Sequence, residues 1–188
     1  MGFELKSARY VAQDALTRLI EKGDTVVDAT MGNGHDTLFL AELVGEEGHV
    51  HAFDIQPSAV DSTQKRLEEA NVADRCSLYC IGHERMANKV NASVKAVLFN
   101  LGWLPGGDKG VTTRLETTLQ AVESGLNFLE KGGLMSVCIY PGHEEGDRER
   151  EALLRFVSSL RPQEYNVLHH RFLNAGAGAP ECILIQKQ

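Results

Sequence analysis

Two short stretches of the sequence carry side chains whose types and spacing could do chemistry. The first runs from Asp28 to Thr37 and contains Gly32 and Gly34. Glycine lacks a Cβ, so a ligand can approach the backbone closely at these two positions. Asp54 lies twenty residues beyond Gly34, where a carboxylate can accept hydrogen bonds from both hydroxyls of a ribose. Two glycines alone indicate only a tight turn, but together with the acidic residues they predict a nucleoside-binding site.

The residue types around this loop favour one kind of nucleoside ligand. A dinucleotide-binding loop has a third glycine where this sequence has Thr37, and it gives no role to an acidic residue before the loop. Asp28 occupies that preceding position, and its carboxylate favours a ligand with a positively charged amino group, such as S-adenosylmethionine. The residues predicted to bind this cofactor are Asp28, Gly32, Asn33, Gly34, Asp36, Thr37, Asp54, Gln56, His83, Asn100 and Gly102.

The second stretch, Asn100-Leu101-Gly102-Trp103, follows an apolar run where many amino-group methyltransferases carry Asn-Pro-Pro-aromatic. An amine that attacks a sulfonium methyl group needs its lone pair aimed in line. The Asn100 side-chain oxygen and the Leu101 carbonyl can accept the N–H groups that orient such an amine. Trp103 either stacks on a planar base, worth about 1–3 kcal/mol per base, or only packs the loop. We predict Asn100, Leu101, Trp103 and Asp28 as the catalytic residues.

The cysteines argue for nitrogen as the methyl acceptor. Methylation at a pyrimidine C5 requires a cysteine nucleophile in a loop at the site. Each cysteine of this chain instead lies in an apolar, strand-like run, and none has zinc-ligand spacing. We therefore expect buried free thiols and no metal site. An amine must lose a proton before it attacks, and the candidates for that base are Asp28, His83 and Asp108.

Strand-like and helix-like segments alternate along the chain and position both stretches at strand ends. The expected strands are 25–29, 50–55, 76–81, 94–99, 134–140, 165–172 and 181–186, and the expected helices are 5–21, 36–44, 57–71, 112–130 and 145–160. Parallel strands need crossover connections, and right-handed crossovers place helices on both faces of the sheet. The last two strands have no helix between them, so they should form a hairpin that gives the sheet an antiparallel edge. The predicted fold class is α/β, Rossmann-like, with a seven-stranded, mostly parallel sheet.

The length, composition and net charge of the chain limit which binding partners and which cellular location we expect. A length of 188 residues predicts one domain, 1–188, and 43% hydrophobic residues exclude a disordered or collagen-like chain. A net charge of −7 argues against binding nucleic acid through overall charge, so RNA binding needs a local basic patch. The candidate patch residues are Lys6, Arg9, Lys109, Arg114, Arg148, Arg150 and Arg171. No apolar run has the length of a membrane span, and no signal peptide is evident, so we expect a cytoplasmic protein.

Three motifs together resemble one family, the small class I S-adenosylmethionine-dependent methyltransferases called YtqB/MnmM and long described as rRNA methylases. The motifs are residues 27–37, Phe53-Asp54 and residues 100–109. The resemblance extends over nearly the whole chain, with departures from the wider methyltransferase pattern at Thr30 and at Leu101-Gly102. It implies methyl transfer to the 5-aminomethyl group of a wobble uridine, often 2-thiolated, giving 5-methylaminomethyluridine. The implied partner is the anticodon region of tRNA, and a homodimer is left open.

Two other classes of function fit parts of this pattern. The acidic charge keeps an rRNA or small-molecule methyltransferase with the same core as an alternative. A different class is an NAD-binding oxidoreductase or a nucleotide-sensing module, because Asp54 suits either ligand. Binding of S-adenosylhomocysteine against binding of NAD distinguishes these classes.

Overall fold

The computed structural model describes residues 7–104, 106 and 110–188, and the strands of these residues form one seven-stranded sheet. The strands are β1 Thr25–Asp28, β2 His49–Asp54, β3 Cys76–Cys80, β4 Val94–Asn100, β5 Leu129–Ile139, β6 Tyr165–His170 and β7 Glu181–Lys187. Their order across the sheet is β3-β2-β1-β4-β5-β7-β6. The first five strands are parallel. The predicted seven-stranded, mostly parallel α/β fold is confirmed.

Helices cover both faces of the sheet, as the strand connections require. They are α1 Ala8–Leu19, α2 His35–Val44, α3 Pro57–Glu69, α4 Leu115–Phe128 and α5 Glu144–Ser158, with 3₁₀ helices at Ala73–Arg75 and His83–Asn88. One apolar core packs α1, α2 and α3 against the sheet, and a second packs α4 and α5 against the other face. Val26 belongs to the first core and Val27 to the second, because successive strand side chains point to opposite faces.

The predicted C-terminal hairpin forms, and the structure shows which of its two strands lies at the edge of the sheet. β7 pairs antiparallel with both β5 and β6, so the antiparallel strand lies second from the edge. The edge strand β6 therefore runs in the same direction as β1 to β5. Burial explains this order: residues 181–185 of β7 are all buried, whereas β6 exposes Val167 and Leu168. The more apolar strand takes the inner position, where both of its faces are covered.

Two element boundaries differ from the expected ones because of contacts that local periodicity does not record. α4 begins at Leu115 rather than near 112, since Thr112 forms a β-bridge with Trp103 and the Thr113 backbone N–H donates to the Gly102 carbonyl. β5 begins at Leu129 rather than 134, and Gly132 with a φ of +81° accommodates an irregularity in its pairing with β4. The expected start of the first helix at residue 5 lies outside the described residues.

Cysteine burial follows the position of each strand. Cys138 and Cys182 are buried opposite each other on β5 and β7. Cys76 is half-buried and Cys80 is exposed on β3, so the expectation of four buried thiols is wrong for this strand. The reason is that β3 is an edge strand of the sheet. Among the described residues, no helix combines the length and apolar character needed to cross a membrane.

Candidate cofactor and substrate site

A cavity of about 660 Å³ opens at the carboxyl ends of the parallel strands. It lies beside β1, which has β2 on one side and β4 on the other, where the strand order reverses. Ligands of open α/β sheets bind at this kind of position. The predicted site residues that line the cavity are Gly32, Asn33, Asp36, Asp54, Gln56, His83, Asn100, Gly102 and Trp103. The two chemically promising stretches of the sequence therefore share one cavity.

Four predicted site residues lie behind the wall of this cavity and do not line it: Asp28, Gly34, Thr37 and Leu101. The Asp28 carboxylate is fully buried, and it accepts hydrogen bonds from the Thr30 backbone N–H at 3.1 Å and the Thr37 hydroxyl at 2.7 Å. Leu101 is buried in the apolar core. The structure thus uses this carboxylate to join the end of β1 to the start of α2, and a contact of Asp28 with a ligand stays a prediction.

Burial also sets the ionisation of Asp28. Desolvation, with the nearby Asp36 carboxylate as the second cause, raises the pKa of Asp28 from 3.8 to about 7. A carboxyl with this pKa could accept a proton near neutral pH, but it does not border the cavity. Asp28 is therefore poorly placed to act as the base that the amine requires.

Gly32 and Gly34 of the glycine loop are needed for different structural reasons. Gly32 (φ +50°) borders the cavity, and a Cβ there would lie 3.3 Å from the Leu104 side chain. Gly34 (φ +78°) faces α3 instead, where a Cβ would lie 2.9 Å from the Thr63 Cα. The Thr63 hydroxyl donates a 3.0 Å hydrogen bond to the Gly32 carbonyl. Gly34 thus permits helix packing rather than ligand approach, and α3 holds the loop in place.

Asp54 joins the glycine loop to the end of β2. One carboxylate oxygen accepts from the Gly32 backbone N–H at 3.1 Å, and the other accepts from the Gln56 backbone N–H at 2.9 Å. Each carboxylate oxygen has two lone-pair positions, so both can accept a further hydrogen bond. Because Asp54 also lines the cavity, its remaining acceptor positions suit the hydroxyls of a ribose.

Asn100 is held at both its backbone and its side chain by the first stretch. Its backbone N–H donates to the Thr30 hydroxyl at 2.7 Å, and its Nδ2 donates to Asp36 Oδ2 at 3.1 Å. The Asn100 Oδ1 atom is enclosed by protein and has no hydrogen-bond partner among the described residues. Thr30, which stands where the wider pattern has glycine, therefore supplies the hydroxyl that positions Asn100.

The N-terminal helix contributes the remaining partners of Asp36. Arg9 donates to Asp36 Oδ1 through Nε at 3.2 Å and Nη2 at 2.9 Å, and Gln13 Nε2 donates to the same oxygen at 3.0 Å. Sequence analysis placed Arg9 in an RNA-facing patch, whereas the structure places it against this carboxylate at the cavity wall. The separation of 27 residues between Arg9 and Asp36 left no local signal for this contact.

His83 lines the cavity together with residues that were not predicted from the sequence. His83 is buried with its ring edge-on to Phe99, and burial lowers its pKa, so the ring is neutral near pH 7. Burial raises the pKa of Tyr140 to about 12, so its hydroxyl stays protonated. The lining residues that were not predicted include Ile55, Glu84, Leu104, Thr113, Thr117 and Tyr140. Tyr140 directly follows β5, and the strand-end rule could have found it.

Trp103 packs against a neighbouring ring and also borders the cavity, so both of the alternatives that the sequence left open are compatible with its position. Its ring centroid lies 4.8 Å from that of His143, so it packs the loop. It also lines the cavity and is 37% exposed. Stacking on a substrate base stays a prediction. The expected lip of the cavity, residues 105–109, lies outside the described residues except for Gly106, and so do Asp108 and the patch residues Lys6 and Lys109.

The predicted basic patch is largely neutralised where the structure describes it. Arg148 contacts Glu145 at 3.1 Å, and Arg150 contacts Glu181 at 2.9 Å. Arg9 is paired with Asp36, as described above. Arg114 lines the main cavity, whereas Arg171 lines a separate hollow of about 280 Å³. Arg9 and Arg114 therefore line one cavity, and Arg150 and Arg171 line another.

Comparison with known proteins identifies relatives along most of the chain. A family described as "Putative rRNA methylase" matches residues 50–186. The "tRNA (mnm(5)s(2)U34)-methyltransferase, chloroplastic" of Arabidopsis thaliana is 40% identical over 182 residues, which are 92% of this chain. The chain spans 66% of the length of that plant protein.

Two solved structures have the same architecture. A protein from Clostridium thermocellum described as a "putative rRNA-methylase" is 41% identical, with a TM-score of 0.97 over 99% of this chain and all of its own. A protein from Streptococcus mutans described as "a putative methyltransferase", in complex with SAH, is 35% identical, with a TM-score of 0.90 over 98% of this chain and all of its own. The resemblance expected from the three motifs is confirmed. The chain belongs to the "Putative rRNA methylase" family, which has the class I Rossmann-like methyltransferase fold.

Proposed function

We propose that this chain is an S-adenosylmethionine-dependent N-methyltransferase acting on the wobble uridine of tRNA. The reaction converts 5-aminomethyl-(2-thio)uridine to 5-methylaminomethyl-(2-thio)uridine. The observation that carries the proposal is Asn100 Oδ1, a buried acceptor on a residue that lines the cavity, which finds no hydrogen-bond partner in the described part of the chain. The name of the plant relative supports the substrate, and the SAH complex of the Streptococcus mutans relative supports the cofactor.

The residues of the cavity fit S-adenosylmethionine. Asp54 keeps acceptor positions for ribose hydroxyls, and Gly32 brings backbone against the cavity without a side chain. Asn33, Gln56 and His83 border the same space. When bound, the cofactor supplies a methyl carbon that an amine nitrogen attacks, with the sulfonium C–S bond breaking and its electron pair returning to sulfur. A cavity of about 660 Å³ lies in the usual range for small-molecule sites.

Asn100 orients the acceptor amine in this proposal. Its Oδ1 atom accepts one N–H of the amine, so the nitrogen lone pair points away from Asn100 and toward the cofactor side of the cavity. A buried acceptor without a hydrogen bond costs about 1–3 kcal/mol, and the substrate N–H offsets this cost. The proton acceptor stays open between His83, which borders the cavity, and Asp108, which lies outside the described residues.

The same proposal includes a binding partner and a cellular location for the protein. The substrate is RNA, and we propose the anticodon region of tRNA as the part that enters the cavity. The single domain 1–188 would act in the cytoplasm, and the possibility of a homodimer stays open.

The decisive experiment is mass spectrometry of tRNA nucleosides from a strain that lacks this gene. We expect 5-aminomethyluridine, or its 2-thio form, to accumulate and the methylated product to disappear. Complementation with the wild-type gene should restore the product, and complementation with the Asn100→Ala gene should not. An unchanged nucleoside profile in the deletion strain would reject the proposal.

The second candidate function is methylation of rRNA or of a small molecule instead of tRNA. The charge of the protein favours this alternative. The net charge is −7, and Arg9, Arg148 and Arg150 are each paired with a carboxylate. Methylation of purified hypomodified tRNA, compared with rRNA fragments and free nucleosides, separates these acceptors. Calorimetry tests the cofactor class, because we expect binding of S-adenosylhomocysteine and no binding of NAD.

A further inference from the structure

The Asp36 carboxylate lies between the N-terminal helix and Asn100. Its Oδ1 atom accepts three hydrogen bonds from Arg9 and Gln13, and its Oδ2 atom accepts one from Asn100 Nδ2. The side chain is 9% exposed and belongs to the first turn of α2. Three donors on one oxygen hold the carboxylate in place, so the second oxygen presents a fixed acceptor to Asn100.

A carboxylate partner determines which end of the Asn100 amide faces it. An ionised carboxylate can only accept hydrogen bonds, so it pairs with the amide NH₂ and repels the amide oxygen. The Asn100 backbone cannot shift to compensate, because its N–H is bonded to the Thr30 hydroxyl at 2.7 Å. The Oδ1 atom must therefore point away from Asp36.

We propose that Asp36 is a positioning residue that fixes the direction of the Asn100 amide, so that oxygen rather than nitrogen meets the acceptor amine. The inference rests on the proposed function. An amide turned the other way would present N–H donors to the amine. Those donors would occupy the lone pair that has to attack the methyl group.

The charge of Arg9 adds a second effect on the amine. Asp36 borders the cavity, and a bare carboxylate there would favour the ammonium form of the substrate, which has no free lone pair. The guanidinium of Arg9, at 2.9 Å from Asp36 Oδ1, opposes this effect. The N-terminal helix thus supports both the direction of the amide and the reactive form of the amine.

Asp36→Asn is the direct test because it changes hydrogen-bonding character with little change in shape. The new amide oxygen can accept from Arg9 while its NH₂ faces Asn100, which then turns its own amide around. We expect kcat on tRNA to fall about 100-fold, whereas the Kd for S-adenosylhomocysteine by calorimetry stays within about threefold of wild type. Asp61→Asn, an exposed site on α3 with the same charge change, is the matched control and should change neither value.

A double variant provides a rescue that a merely structural role would not produce. In Asp36→Asn/Asn100→Asp, the carboxylate at position 100 can accept both from the amide at position 36 and from the substrate amine. We expect kcat at least about tenfold above that of Asp36→Asn alone. The ¹⁵N-side-chain NMR signal of Asn100, assigned by its loss in Asn100→Ala, should lose the shift caused by the carboxylate partner in Asp36→Asn.

The outcomes separate this inference from the proposed function. Wild-type kcat in Asp36→Asn, weakened cofactor binding with unchanged kcat, or no recovery in the double variant would overturn the positioning role. If Asp36→Asn does not fold, Gln13→Leu replaces it, since Gln13 contacts Asp36 without lining the cavity. That variant should lower kcat about threefold at unchanged cofactor Kd, and an unchanged kcat would overturn the inference. Wild-type protein that fails to methylate tRNA would refute the proposed function, while the NMR signal would still test the amide direction.

Discussion

The segment between β1 and α2 and the segment after β4 border the same cavity but satisfy their polar groups differently. In the first, Asp28 pairs with Thr30 and Thr37 inside the protein. In the second, the Asn100 Oδ1 atom has no partner in the described part of the chain, and Trp103 is 37% exposed. The difference indicates that the Asp28 carboxylate is paired before any ligand binds, whereas Asn100 Oδ1 keeps the capacity to accept a hydrogen bond from the proposed substrate.

This contrast has an energetic reason. A loop that binds a ligand tightly benefits from being held in its binding conformation beforehand, because less ordering is needed on binding. A group that acts on the reacting atoms must keep free hydrogen-bonding capacity for the substrate. The variants below test whether the two segments divide binding and turnover in this way.

Removing the acceptor at position 100 should have the largest effect. Asn100→Ala leaves the amine unoriented, so we expect kcat to fall about 100-fold or more. The Kd for S-adenosylhomocysteine should change by less than about threefold, since Asp54 and the glycine loop are untouched. Steady-state kinetics with tRNA and calorimetry measure the two quantities. A kcat equal to that of wild type would show that Asn100 does not orient the amine. An equal loss of cofactor affinity would show that the two segments do not divide binding from turnover.

Asp54→Ala should show the reverse pattern. It removes two hydrogen bonds to the loop backbones and the predicted contacts with the ribose. We expect the Kd for S-adenosylhomocysteine to rise about 10- to 100-fold, which corresponds to about 1.5–3 kcal/mol for hydrogen bonds to a charged group. Asp54→Asn retains one acceptor oxygen and should lose less. Calorimetry that shows wild-type affinity in Asp54→Ala would contradict the assignment.

Trp103→Ala sharpens the description of the second segment. If the indole stacks on the substrate base, the KM for tRNA should rise about tenfold, within the range of about 1–3 kcal/mol per stacked base. Trp103→Phe should retain most of the affinity, and the Kd for S-adenosylhomocysteine should not change. A lower thermal stability with an unchanged KM for tRNA would show that Trp103 only packs against His143.

The smallest expected effect concerns stability and the buried Asp28. Burial raises its pKa from 3.8 to about 7. The folded state therefore keeps the proton at pH values where the unfolded state releases it. The contribution of this carboxyl to the free energy of unfolding is full below about pH 3.8 and is lost progressively as the pH rises to about 7.

Asp28→Asn removes this titration without removing an acceptor for the Thr30 backbone N–H. Chemical denaturation at about pH 5 and about pH 7.5 should show a larger loss of stability in wild type than in Asp28→Asn over that interval. Equal losses in the two proteins would mean that Asp28 ionises in the folded state at its ordinary pKa. Cofactor affinity should stay close to that of wild type, because Asp28 does not line the cavity.

The strand ends could be predicted because an apolar run in the local sequence indicates a strand and the residue at which it ends. Asp54 and Asn100 each end an apolar run, and the parallel arrangement brings such ends to one edge of the sheet. The same rule placed Asp28 in the site, but the Asp28 side chain is buried and does not line the cavity. A strand-end rule locates a residue along the sheet, but it does not state whether its side chain enters the cavity or the wall behind it.

The alternating pattern of this sequence by itself determined the α/β fold, the glycine loop and the two strand ends that form the cavity, because these depend on local periodicity and backbone geometry. Only the tertiary structure decided that Gly34 faces Thr63, that Arg9 contacts Asp36 across 27 residues and that Asp36 contacts Asn100 across 64. Hydrogen bonds between distant side chains depend on how helices pack on the sheet and on which rotamers that packing allows. Local sequence patterns carry little of that information.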